Sequence, residues 1–503
     1  MKSSISKPAL MIQGTTSNAG KSILVTAFCR IFTRFGLRVS PFKAQNMSLN
    51  SFVTRDNCEI GRAQAIQADA CRKECDVRMN PILLKPSSQN SSQIVVMGKP
   101  VSTMQFRDYS HKRTELEQIV HKAYDELATE SDLMILEGAG SPAEVNLKKN
   151  DIVNMAMAKY AGANVLICGD IDRGGVYAHF LGTYMCLDSD EQQLVKGFLV
   201  NKFRGDQHLL GNAHEFIMDK TGKPVLGVIP YVDKLLIPDE DSVSFKEVPP
   251  LQQHTGTSDH SSVKIAYIDL PYISNANDID PFRYQRDVQI DVIRNAKDLD
   301  ERYDAIIIPG TKNVIHDLHH LIKNGFSGKF DRLYKETNVI IAGICGGFQI
   351  LGKTIADPYS IESTSVISTH GLGLLDITTV LERDKTLTQT TIRDSVLNTT
   401  YQGYEIHHGK TEIGSGSIPI HFNAANEPIG AKSHDSRVWG TYLHGIFEND
   451  SFRKRFIDLL RKNKNLGGSE FHVSYQIDKA IDSIADSVEK AVDMNAIRMM
   501  LGL

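Results

Sequence analysis

The chain has 503 residues, enough for about three compact units that each bury a core, so a single small fold is excluded. Its 56 Lys+Arg and 60 Asp+Glu leave a formal charge of -4, with 41% hydrophobic and 23% charged residues, the balance of an ordinary globular protein. That balance gives no support to a broad nucleic-acid-binding surface or a long disordered tail.

In chain order, the first apolar run covers residues 9–12. It is too short for a signal-peptide core and leads straight into a glycine loop, so a first strand is expected there. Leu24, Phe28, Ile31, Phe32 and Phe35 then recur at the period of a helix. A short strand follows at Val39, and further apolar runs at 133–136, 164–168, 197–200 and 225–229 extend the series. Strand and helix alternating in this way predict a mostly parallel, helix-covered α/β sheet. Residues 252–262 are almost devoid of apolar side chains, and a linker is expected at 250–262. A second α/β series begins at 263–268 and continues at 305–308, 339–342 and 438–443. Ile477, Ile481, Ile484, Val488 and Val492 give the last 50 or so residues a helical pattern. The expected units are therefore 1–249, the linker, 263–450 and a helical extension at 451–503. Seven cysteines without a CxxC pair read as reduced thiols, which predicts a cytoplasmic location. No run approaches the roughly 18 apolar residues of a membrane span, so no membrane attachment is expected.

Two local patterns carry chemistry. Gly14, Thr15, Asn18, Ala19, Gly20, Lys21 and Ser22 lie on a loop between the first strand and the amphipathic helix. Such a loop turns backbone N–H groups toward phosphate oxygens, Lys21 supplies a point charge, and the Ser22 hydroxyl suits Mg²⁺. Five residues separate Gly14 from Gly20, one more than in the usual P-loop. Glu137, at the end of a buried-looking strand, is the expected second oxygen ligand of the metal. Lys43 should lie beside the same loop, and Asn201 where related folds contact the base.

The second pattern is Gly343-Ile344-Cys345-Gly346-Gly347-Phe348-Gln349, directly after an apolar strand. Small flanking residues permit a sharp strand-to-helix turn that presents the Cys345 thiol as a nucleophile. His444, ending another predicted strand, is the leading candidate for its base. Backbone N–H groups from Gly310 and Thr311 could join that of Gly346 in an oxyanion hole.

The phosphate loop resembles that of the dethiobiotin synthetase group of P-loop enzymes. Gly343, Cys345, Gly347 and Gln349 match the GxCxGxQ motif of class I glutamine amidotransferases, which places Gln349 at the glutamine site. In that family a glutamate usually stands two residues after the histidine. Here the position is Ile446 and the nearest acid is Glu448, which suggests a Cys–His dyad oriented in some other way. A P-loop ATPase placed ahead of such a domain resembles the corrinoid amidotransferases. Within them the sequence is similar to the cobyric acid synthase family over nearly its whole length. The matching segments are 14–22, 41–50 (PFKAQNMSLN), 80–86 (NPILLKP), 170–175 (DIDRGG), 201–206 (NKFRGD), 403–407 (GYEIH) and 440–445 (GTYLHG).

The resemblance implies ATP and Mg²⁺, L-glutamine as nitrogen donor, and adenosylcobyrinic acid a,c-diamide as the corrinoid substrate, amidated at its b, d, e and g carboxylates. Lys43, Lys85 and Arg173 are candidates for the local positive charge that so acidic a substrate needs. Two alternatives stand beside this reading: a cobyrinic acid a,c-diamide synthase with the same architecture, and a P-loop switch of the partition-ATPase type. The second would need a basic patch or a membrane helix, and neither is evident.

Overall fold

A computed structural model describes residues 3, 7–87, 91–105, 112–232, 237–238, 262–394, 399–469 and 473–503. The expected linker at 250–262 lies outside the described residues except for Ser262. No helix among the described residues is long and apolar enough to cross a membrane.

The first unit is built on a six-stranded sheet in the order Val225–Pro230, Val195–Phe203, Asn164–Asp170, Ala9–Gly14, Leu133–Glu137 and Val39–Phe42. Every pairing is parallel. Alternate residues face opposite sides of a strand. Met11, Met134, Leu136, Val165 and Ile167 accordingly enter one buried cluster, and Leu10, Ile12, Leu133, Ile135 and Leu166 enter the other. Because both faces are covered, the strands read as unbroken apolar runs. The register pairs Ile12 with Glu137, Gly14 with Cys168, and Asp170 with Asn201, which brings the phosphate loop, Glu137 and Asn201 to one sheet edge.

Helix Lys21–Arg34 buries Leu24, Phe28, Ile31 and Phe32 as its period requires. Phe35 departs from the expectation: it is the C-cap, is 44% exposed, and packs edge-on against Phe32. Between strand Val39–Phe42 and helix Arg113–Thr129 the chain adds a four-stranded sheet and a two-stranded one, Ser51–Val53 with Glu59–Gly61. Sequence periodicity marked neither, because most of these strands are short and lack a clean alternation.

The second unit carries parallel strands in the order Val288–Ile293, Val263–Ile268, Ala305–Ile308, Ile340–Ile344 and Val438–Thr441. The sheet continues through antiparallel strands Pro428–Lys432 and Ile418–Phe422 to the long hairpin of Ile377–Asp394 and Thr399–Ile413. Polar residues dominate that hairpin because much of it faces solvent, so it escaped the apolar-run criterion. Ile308 pairs with Gly343, and Ile344 with Thr441, so the residues just beyond these three strands converge.

The stretch expected as one helical extension divides in two. Helix Asp450–Asn463 buries Phe456, Ile457 and Leu460 in the core of the second unit. Helix Ile477–Ala491 instead returns to the first unit, where Ile481, Ile484 and Val488 share a cluster with Leu24, Phe28 and Ile31. Each such side chain, fully buried, contributes about 1.5–3 kcal/mol. Arg30, wholly buried, is paired there with Asp478 at 2.6 Å and Asp482 at 3.1 Å.

Candidate active sites

Gly20 caps the first helix with φ +97°, a left-handed conformation that favours glycine. A Cβ there would lie 2.1 Å from the Asn201 amide, so the loop is a cradle that only a residue without a side chain fits. Asn201 Nδ2 donates to the Ala19 carbonyl at 2.8 Å, and Lys202 Nζ donates to the Asn18 carbonyl at 2.8 Å, holding the loop from the neighbouring strand end. Thr15 N donates to the Cys168 carbonyl at 2.9 Å. Lys21 folds back over the loop, donating to the carbonyls of Gly140 at 2.9 Å and Thr16 at 3.2 Å.

Ser22 Oγ donates to Glu137 Oε1 at 2.9 Å. Lys43 Nζ reaches the same oxygen at 2.7 Å, and Gln67 Nε2 donates to Oε2 at 2.6 Å. The geometry thus unites Lys21, Ser22, Lys43, Glu137 and Asn201, and it adds Gln67 and Lys202. Gln67 escaped notice because a glutamine on a helix of low amphipathicity carries no local signal. Arg173 lies apart from the buried set, with a half-exposed side chain 3.7 Å from Asp170. Lys85 sits elsewhere, against the cysteine pocket of the second unit.

Cys345 adopts φ 50° and ψ -106° at the start of helix Gly346–Ile350, a strained backbone that turns its thiol out of the strand line. Its N–H donates to the Thr441 carbonyl at 2.8 Å, tying it to the strand that delivers His444. A Cβ on Gly346 would stand 2.9 Å from the Thr311 amide nitrogen, and one on Gly310 would stand 3.1 Å from His444 Cε1. The elbow, the 310–311 turn and the histidine are therefore packed together. Gln349 Nε2 donates to the Tyr442 hydroxyl at 3.3 Å.

The histidine has a carboxylate partner that sequence reasoning missed. His444 Nδ1 lies 2.7 Å from Asp278 Oδ2, and Gly445 N donates to Asp278 Oδ1 at 3.0 Å. Burial alone would lower the His444 pKa, but Asp278 and Cys345 outweigh it and raise the imidazole to about 10. Ile446 is core, and Glu448 pairs with Arg62 of the first unit at 2.8 Å. Asp278 sits on the short helical segment Ala276–Tyr284, 166 residues before its partner. No motif marks it; a place just past the first strand of the second sheet was the only available hint.

One helix links the two sites. Arg62–Ala70 holds Glu448, four residues past His444, with its first residue, and Glu137 with Gln67.

A phosphate-binding parallel sheet joined to a cysteine–histidine elbow defines a glutamine amidotransferase fused to a nucleotide-binding domain, an amidoligase architecture. Family comparison matches residues 10–243 to the CobQ/CobB/MinD/ParA nucleotide binding domain and residues 264–452 to the CobB/CobQ-like glutamine amidotransferase domain. The cobyric acid synthase of Nitratidesulfovibrio vulgaris is 46% identical over 99% of this chain and 98% of its own length. That of Clostridium novyi is 43% identical over 97% of each. The adenosylcobalamin biosynthesis bifunctional protein CobDQ of Leptospira interrogans is 45% identical across this whole chain, which spans 58% of that longer protein. The chain belongs to the cobyric acid synthase family.

Proposed function

We propose that the chain catalyses ATP- and glutamine-dependent amidation of the b, d, e and g carboxylates of adenosylcobyrinic acid a,c-diamide in cobalamin biosynthesis, in the cytoplasm. The observation that carries this reading is the end-to-end match to cobyric acid synthases, together with the two sites described above in one chain. Units 1–249 and 263–450 serve as synthetase and glutaminase respectively, joined by 250–262, with 451–503 divided between them.

In the glutaminase site the Cys345 thiolate attacks the side-chain amide carbon of glutamine, and protonated His444 gives its proton to the departing ammonia. Backbone N–H groups of Gly346 and the 310–311 turn face the oxyanion. Asp278 fixes the imidazole ring and stabilises its charged form.

In the synthetase site, ATP supplies the phosphoryl group that makes a carboxylate a competent electrophile toward ammonia. The glycine cradle, Lys21 and Asn201 suit a nucleotide, and the Ser22–Glu137 oxygen pair suits Mg²⁺. Lys43 and Gln67 hold the Glu137 carboxylate in place. Free ammonia is mostly protonated near neutral pH, so a shielded route between the sites belongs to this reading.

Incubation with the a,c-diamide, glutamine, ATP and Mg²⁺, with amides counted by mass, tests the substrate. Four added amides are expected; conversion of cobyrinic acid with none of the a,c-diamide would establish the earlier-acting synthase instead.

Asp278→Asn should lower glutamine-dependent turnover by about 10²–10⁴-fold while ammonia-dependent amidation persists. Its pH profile adds a sign. Loss of the carboxylate lowers the His444 pKa, so the protonated imidazole is lost sooner and the alkaline limb moves to lower pH. An unmoved limb would remove Asp278 from this role.

A further inference from the structure

The pocket beside Cys345 has a charge that the mechanism above leaves unused. Lys312, on the turn after strand Ala305–Ile308, lines it with a half-buried side chain. Its ammonium group has no hydrogen-bond or ion-pair partner among the described residues. Two further lysines line the same pocket, but both ammonium groups already have a carboxylate partner. Lys85 Nζ lies 2.5 Å from Glu59 Oε1, and Lys385 Nζ lies 2.6 Å from Glu59 Oε2, so the one carboxylate serves both. Glu59 and Lys85 belong to the first unit and Lys385 to the second. The long hairpin breaks register between Leu381 and Thr386, and Lys385 lies in that break. Such a break re-aims a side chain.

Burial first, and then the nearby Lys85, lower the Lys312 pKa and outweigh the opposing pull of Glu362 and Glu59, so its charge is only partly compensated. An enclosed ammonium facing two other lysines is stabilised by an incoming anion. In glutamine the α-carbon stands three bonds from the amide carbon that Cys345 would attack. An amino-acid head group therefore falls in the same small pocket when the amide meets the thiol. Glu362, which accepts the Ile315 N–H at 3.2 Å, lines that wall too.

We propose that Lys312 binds the α-carboxylate of free L-glutamine, and that the nucleotide-binding domain closes this end of the pocket with Lys85. Selection of the nitrogen donor is then shared by the two domains. The inference rests on Cys345 being the glutaminase nucleophile.

The test uses the full-length enzyme and its Lys312→Met and Lys85→Met variants. For Lys312→Met, kcat/KM for L-glutamine should fall about 100-fold, chiefly through KM, with ammonia-dependent amidation retained as the folding control. Preference for L-glutamine over L-glutaminamide, whose α-carboxylate is replaced by a neutral amide, should collapse. Labelling of Cys345 by 6-diazo-5-oxo-L-norleucine should slow, while alkylation by iodoacetamide, which has no amino-acid head, should not. Lys85→Met should shift the same quantities in the same direction, by less. A wild-type KM and wild-type labelling in Lys312→Met would overturn the inference. Should that variant fail to fold, equal use of L-glutamine and L-glutaminamide by the wild type would overturn it as well. A wild type that hydrolyses no glutamine and resists the diazoketone would instead defeat the glutaminase reading beneath it.

Discussion

Cys345→Ala should abolish glutamine-dependent amidation, by about 10⁴-fold or more, and leave amidation from added ammonium salt at mildly alkaline pH intact. The size follows from the chemistry: without the thiol no acyl-enzyme forms, and neither His444 nor the oxyanion donors offer a replacement nucleophile. The selectivity follows from the structure. Cys345 is 5% exposed within the core of the second unit, and a smaller side chain at that point leaves the Thr441 backbone contact in place. The proposed synthetase group of Lys21, Ser22, Lys43 and Glu137 lies at the end of a separate sheet, that of the first unit. Parallel assays with the two nitrogen sources check this. Equal loss from both would mean that the elbow supports the fold and not the nitrogen chemistry.

Lys21→Ala should lower amidation from either nitrogen source by about 10²–10⁴-fold, because the charge proposed to meet the outer phosphates is gone. Lys21 is 6% exposed and lies along the loop, its ammonium shared between two backbone carbonyls. Its removal leaves those carbonyls without this donor, so a modest stability loss of about 1–3 kcal/mol accompanies the catalytic one. Nucleotide binding by calorimetry and iodoacetamide labelling of Cys345 separate the effects. Weakened nucleotide binding with unchanged labelling is the expected pair of results; unchanged amidation would remove Lys21 from the phosphate site.

Much of both sites was legible because phosphate binding and a nucleophile elbow each demand particular residues at short range. Gly20 is needed for its φ of +97° and for the space that Asn201 occupies. Gly346 and Gly347 are needed because the 308–311 backbone comes within 3 Å of where a side chain would stand. Glu137 and Asn201 were readable as residues at the ends of apolar strands, and the register brings both to the end of the sheet that carries the glycine loop. The fold class followed from the same continuous runs, since strands covered on both faces need no alternation.

The sequence by itself thus determined what chain-local physics controls: two successive α/β units, a glycine loop of the kind that suits phosphate, and a cysteine at a sharp turn. Only the tertiary structure decided the partners. Asp278 reaches His444 across 166 residues, and Glu59 reaches Lys385 across 326, where no periodicity or spacing points from one to the other. It also set Lys85, a candidate for the charge that an acidic substrate needs, in the wall of the cysteine pocket, and returned the last helices to the first unit. The physical reason is the same in each case. A turn is specified by the residues that make it, whereas a buried ion pair is specified by which surfaces dock, and docking is settled by the packing of the whole chain.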